Sequence, residues 1–218
     1  MHSLVLLDNC DSRATNTASR RTAGANICVG MDEVGRGALA GPLVAAAVIL
    51  PRECVLPTGQ RLTDSKVLSP AERAASDAWI RRHAELVAIE SIGVEAINRL
   101  GIGWANRAIF GRLMDRIGTA RFLVDGNLRL HGLAPHGARI VCRCDGDAYE
   151  PAIAAASIVA KVYRDRLMEC LHQAYPCYGW SRNAGYATPE HRTALLSNGP
   201  CTHHRTLFLR RLLGKDER

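Results

Sequence analysis

Three apolar runs in this chain each finish in acid with glycine close by, and that pattern constrains the fold more than any other feature. Val29-Gly30-Met31 runs into Asp32-Glu33, Phe122-Leu123-Val124 ends at Asp125-Gly126, and Arg139 to Cys144 leads into Asp145-Gly146-Asp147. Short apolar runs bounded by turn residues read as buried strands. Carboxylates at the ends of such strands are expensive to bury without a partner. If the three strands share one sheet, their ends gather acid at one edge.

The rest of the chain supplies elements to flank such a sheet. Ile27–Val34 and Pro42–Leu50 are apolar, with Gly35, Gly37 and Gly41 between them, which predicts two strands joined by a glycine-rich bend. Ser69-Pro70 opens a helix, with Ser69 as N-cap, Pro70 at the first helical position and Glu72 at the capping-box position, running to about Ala84. A third strand is predicted over Leu86–Val94, a helical stretch over Glu95–Ile117, and strands over Arg121–Val124 and Arg139–Cys144. A long alanine-rich helix follows over Pro151–Tyr175, then shorter ones over Pro189–Leu196 and Thr206–Leu213. Residues 1–25 read as an irregular N-terminal extension and 26–218 as one mixed α/β domain. No run is long and apolar enough to span a membrane.

A chain of 218 residues, 47% hydrophobic and 22% charged, suits one substantial core and excludes wholesale disorder. A net charge of +7 favours a polyanionic partner such as nucleic acid, although basicity alone is common among soluble proteins. Of 28 basic residues only Lys66, Lys161 and Lys215 are lysines. Lysine is a compact point charge where arginine is a planar fork, so Lys66 and Lys161 are candidates for tight phosphate or carboxylate contacts. Lys161 can equally pair with Asp165 one helical turn on. Eight cysteines without a CxxC pair argue against a zinc finger, and Ser3–Leu7 is too short for a signal h-region. With Cys28, Cys142 and Cys170 in apolar or amphipathic runs, a reduced cytoplasmic protein is expected.

Clustered carboxylates repel one another unless a cation sits among them, and all-oxygen ligation suits Mg2+ or Mn2+. Singly, each acid is an ordinary turn residue; three together in a basic chain point to metal. One difficulty is geometric: neighbouring strand residues face opposite ways, so Asp32 and Glu33 both reach a site only if the strand twists or ends there.

At these residues the sequence resembles the ribonuclease HII family. Met31 to Pro42 (Met-Asp-Glu-Val-Gly-Arg-Gly-Ala-Leu-Ala-Gly-Pro) is similar to its opening motif, and Thr63-Asp64-Ser65-Lys66 with Leu68-Ser69 and Glu72-Arg73 to its second. Val124-Asp125-Gly126-Asn127 resembles the third, Gly146-Asp147 with Ile153–Val162 and Arg164-Asp165 the fourth, and Gly185-Tyr186 with Thr188 and His191 the fifth. His204-Arg205-Thr206-Leu207-Phe208 matches the C-terminal motif loosely, with leucine where a small hydroxyl residue is usual.

The resemblance implies a ribonuclease H-like α/β fold: a five-stranded mixed sheet flanked by helices, with a helical C-terminal extension. It implies metal-site carboxylates at Asp32, Glu33, Asp125 and Asp147; Asp147 lies six residues before Ile153, the family spacing, whereas its rival Asp145 lies eight before. It further implies that the Gly35-Arg36-Gly37 turn meets the ribose 2′-hydroxyl, that Tyr186 stacks on the neighbouring sugar, and that Lys66 and Lys161 contact phosphate. Ser157 is counted with the substrate contacts, although with its neighbouring alanines it serves packing first. The expected activity is two-metal hydrolysis of the RNA strand of RNA–DNA hybrids and of duplex DNA 5′ of embedded ribonucleotides, by a monomer. The type III enzyme is set aside because it typically carries an extra N-terminal domain and lysine in place of Arg36. A non-catalytic hybrid-binding module, or a small-molecule phosphatase, is the alternative of another class.

Overall fold

The first two strands are built from the apolar runs on either side of the glycine bend. The computed structural model describes residues 27–53, 62, 65–118, 120–130 and 132–210. β1 (Cys28–Val34) pairs antiparallel with β2 (Leu43–Ile49), with Asp32 opposite Ala46 and Glu33 opposite Ala45. Helix α1 (Pro70–His83) begins at the expected capping box: Ser69 Oγ accepts the Glu72 N–H at 3.3 Å and Glu72 returns a carboxylate to the Ser69 N–H at 2.8 Å, a device worth about 1 kcal/mol. β3 (Leu86–Ile92) then pairs antiparallel with the far side of β2.

The expected helix over Glu95–Ile117 is two helices, α2 (Val94–Leu100) and α3 (Ile102–Ile117). Gly101 separates them at φ 84°, a conformation in which other residues are strained. The apolar periodicity continues across the break, which hid it from the sequence. β4 (Arg121–Asp125) joins β1 in parallel and β5 (Arg139–Arg143) joins β4 in parallel, giving a mixed five-stranded sheet in the order β3-β2-β1-β4-β5.

Three short elements sit where the sequence predicts no helix. Residues Gly146–Tyr149 form a one-turn helix, α4, just before the long helix α5 (Pro151–Ala174). Beyond a 3-10 turn at Pro176–Tyr178 come α6 (Trp180–Asn183), α7 (Pro189–Asn198) and α8 (Thr206–Leu209). The predicted continuation of the last helix to Leu213, the N-terminal extension 1–25, and Thr63-Asp64 of the second motif lie outside the described residues.

Strand alternation sorts the core into two layers. Val29, Met31, Ala45, Ala47, Phe122 and Val124 face α2 and α3, whereas Val44, Ala46 and Val48 face α5. The alanines of α5 let it lie close on β1. At Gly30 the approach is so tight that a Cβ would collide with the Ala152 carbonyl. A third cluster, Leu39, Met168, Tyr178, Trp180 and Leu195 among others, seats the C-terminal helices against the bend after β1. The cysteine expectation needs correcting: Cys142 packs against the core, but Cys28 is exposed at the start of β1 and Cys170 is disulfide-bonded. Among the described residues, no helix is long and apolar enough to cross a membrane.

Candidate metal centre and nucleic-acid contacts

Each of three aspartates reaches the site for a local reason. Asp32 lies on the α5 side of β1, at the strand's C-terminal end. Asp125 closes β4, the parallel neighbour of β1. Its Oδ1 accepts the Gly146 N–H at 2.8 Å, so this carboxylate also fixes where α4 starts. A Cβ on Gly146 would lie 2.6 Å from Ile153 Cδ1 and 3.4 Å from Asp125 Oδ1, which is why glycine stands there. Asp147, one residue on, is thereby carried to the strand ends. Oxygens of Asp32, Asp125 and Asp147 all lie within 4.8 Å of one another. Asp145, the rival, is exposed with φ 55° and stays outside the group.

Glu33 does not join them. The pleat turns it to the other face, where its carboxylate meets the Asn106 side chain and lies 3.9 Å from an Arg36 nitrogen. The alternation of side chains along β1 thus holds at this pair, and Glu33 borders the aspartate group from the next layer.

The electrostatics describe buried carboxylates crowded together. Burial pushes the Asp32 carboxyl well above the usual carboxylate range, and the charges of Glu33 and Asp125 push it further; the Ser157 hydroxyl and the Glu33 N–H, 2.7 Å from Asp32 Oδ1, pull back. Burial raises Glu33 as well, with Arg36 opposing and Asp125 adding to the rise. Three hard oxygen donors gathered within 4.8 Å of one another fit a divalent cation of the magnesium or manganese kind.

The expected substrate contacts surround this group unevenly. Arg36 and Gly37 are exposed, and nothing lies within 4 Å of where a Gly37 Cβ would sit. Gly35 is different. Its φ is 88°, and a Cβ there would lie 2.8 Å from Arg164 Cδ, so the protein's own interior demands this glycine rather than a ligand. Lys66 is exposed in the turn before α1. Lys161 makes the alternative contact raised by its spacing, an ion pair with Asp165 at 2.7 Å. Ser157 is buried and hydrogen-bonded to Ser65 Oγ at 2.9 Å, placed to support Asp32 more than to meet a substrate. Tyr186 is half-buried, with the Arg164 guanidinium 5.4 Å from its ring centre.

Several residues of consequence carry no role in the sequence reading, although Arg164, His191, His204 and Arg205 stand within the motifs. Arg164 and Arg205 are both fully buried, as are His191 and His204. Arg164 could have been found: it lies on the helical stripe Ser157, Ala160, Arg164, Met168, Leu171, where a lone charge amid small and apolar residues marks an interior site. Asn106 and the two histidines carry no comparable signal.

A family model for ribonuclease HII matches residues 29–211. The ribonuclease HII of Thermosynechococcus vestitus is 46% identical over 187 residues, covering 85% of both chains, and that of Novosphingobium aromaticivorans is 44% identical over 193 residues, covering 84% of this chain and 95% of that one. The chain belongs to the ribonuclease HII family. A ribonuclease HII is an endoribonuclease of RNA–DNA hybrids, and the aspartate cluster is a candidate metal site in this one. Among solved structures, Archaeoglobus fulgidus RNase HII in complex with PCNA superposes with a TM-score of 0.68 at 27% identity over 82% of this chain and 93% of that one. Bst-RNase HIII in complex with Mn2+ superposes at 0.66 with 19% identity over 91% of this chain and 72% of that one, a likeness of fold alone. The departure at Leu207 falls on an exposed side chain, while Arg205 of the same motif is turned fully inward.

Proposed function

We propose that this ribonuclease HII cuts 5′ of ribonucleotides embedded in duplex DNA as well as within longer hybrids, leaving 5′-phosphate and 3′-hydroxyl ends. The convergence of Asp32, Asp125 and Asp147 from β1, β4 and α4 carries the reading. These three carboxylates, with Glu33 at the border, would hold two Mg2+ or Mn2+ ions. Such ions, when bound, supply an activated water and stabilise the departing oxygen. The chain's own contribution is position. Asp125 anchors α4 through the Gly146 N–H, Ser157 steadies Asp32, and the open Arg36-Gly37 turn lies at the end of the same strand as Asp32.

Lys66 and Lys161 contribute phosphate contacts without base specificity, Lys161 by exchanging Asp165 for a phosphate oxygen. Tyr186 stacks on the sugar beside the ribonucleotide. We read the enzyme as a monomer acting in the cytoplasm, for which the mass in solution and the location of a tagged chain are the checks. The main test is a gel assay of a duplex containing one ribonucleotide, with and without Mg2+. Cleavage should occur only with the metal, and Asp125→Asn should abolish it. Wild-type cleavage by that variant would refute the assignment.

A further inference from the structure

Two arginines lie in the molecule's interior. Among the described residues, neither Arg164 nor Arg205 forms a salt bridge, although each is fully buried and the charge of Arg164 acts on Arg205. A buried charge without a partner is strongly unfavourable unless its donors are satisfied. Here they are satisfied by backbone carbonyls. Arg205 donates to Gly35 O at 2.6 Å, Arg36 O at 3.0 Å and twice to Gly41 O, at 2.8 and 3.0 Å. Arg164 donates to Pro42 O at 3.0 Å, Ala40 O at 3.1 Å and Ala184 O at 2.8 Å, and lies across the Tyr186 ring.

All of these bonds but one end on the loop that follows β1. The remaining N–H groups of that loop divide into two sets. Ala38, Leu39, Ala40 and Gly41 donate within the protein, to Gly35 O, Gly185 O (twice) and His203 O. The Arg36 and Gly37 N–H groups have no partner among the described residues, and they belong to the exposed part of the turn. With five loop carbonyls drawn inward, the turn offers donors at its exposed tip.

We propose that Arg164 and Arg205 are positioning residues for ribose recognition: by holding the loop's carbonyl oxygens they present the Arg36 and Gly37 N–H groups to the 2′-oxygen of a ribonucleotide, and Arg164 seats Tyr186 beside them. This rests on the reading of the site as a ribonucleotide-cutting one. A planar fork of five donors can bridge several carbonyls at once, whereas an ammonium in the same place keeps the charge and loses the bridge. Lysine substitutions therefore separate geometry from electrostatics. The buried positive charge also suits a loop that receives a polyanion.

The test uses the full chain in Ca2+, which is expected to allow binding without turnover, with duplexes carrying one ribonucleotide or none. The wild-type enzyme should prefer the ribonucleotide duplex; absence of any preference would sink the functional reading itself. Arg205→Lys and Arg164→Lys should each reduce that preference by about tenfold, the loss of roughly one well-placed hydrogen bond, while Mn2+ affinity stays as in the wild type. Folded variants that keep the full preference would overturn the proposal. Should a variant not fold, amide exchange on the wild-type chain decides. The Arg36 and Gly37 N–H groups should exchange freely alone and with all-DNA duplex, and become protected with the ribonucleotide duplex. Unchanged exchange in all three states would refute it.

Discussion

Replacing His204 with asparagine should flatten the acid limb of this protein's stability curve. His204 and His191 are both fully buried, and their partners fix their protons. Trp180 Nε1–H donates to His191 Nε2 at 3.1 Å, so that nitrogen carries no proton and His191 Nδ1–H donates to Tyr186 O at 2.9 Å. His204 Nδ1 accepts the Cys201 N–H at 3.0 Å, so its Nε2 holds the proton and faces His191 Nε2 at 3.2 Å. Both rings are neutral in this arrangement, and a further proton on either would set donor against donor.

Burial first, and the neighbouring His191 and His203 next, accordingly lower the His204 pKa from 6.5 to about 4. The unfolded chain binds the proton first as the pH falls, so the contribution to stability is complete above 6.5 and is lost on the way down to about 4. By linkage, going from neutral pH to about pH 5 removes about 2 kcal/mol through this residue. Asparagine can still accept from the Cys201 N–H but does not titrate. Asp32 and Glu33, raised by burial, act with the opposite sign over part of this range, and they are common to both proteins, as are His191 and His203. The difference between the two profiles therefore isolates His204. Urea unfolding without metal ion, at about pH 7.5 and about pH 5, should show wild type losing about 2 kcal/mol more than His204→Asn. Parallel profiles would refute the locked neutral network.

Other consequences concern packing and metal binding. Gly30→Ala would drive a methyl into the Ala152 backbone, and since neither strand nor helix can yield cheaply, the loss should reach about 3 kcal/mol or a Tm lower by roughly 6–12 °C; a Tm within about 2 °C of wild type would show that α5 does not lie this close. Added Mg2+ should raise the Tm by relieving carboxylate repulsion, and more in alkaline than in acidic solution, because the raised Asp32 must shed its proton to bind. An equal rise in both would remove the Asp32 carboxyl from the site. Asp125→Asn should lose most of the Mg2+ effect along with cleavage, without falling below the metal-free wild type in Tm beyond the loss of the Gly146 bond.

The sheet and its acidic edge were legible because they follow from local physics. Apolar runs of strand length, glycine between them, a Ser69-Glu72 capping box and a small-residue helix each specify their own conformation, and Asp32, Asp125 and Asp147 stand at the ends of their runs. Gly101 was misread because hydrophobic periodicity reports a buried face and not the φ of one residue within it. What the tertiary structure alone decided is how side chains far apart in the chain are matched. Glu33 falls on the far face from Asp32 because the pleat is preserved where a twist was one option. Asp147 is selected over Asp145 because Asp125 binds the Gly146 N–H and fixes the turn. Arg164 and Arg205 become loop-holding groups because carbonyls up to 170 positions away are brought to them. Periodicity can mark a residue as interior, but the partner that satisfies an interior charge is settled by packing, since only the folded chain removes the water that would otherwise serve.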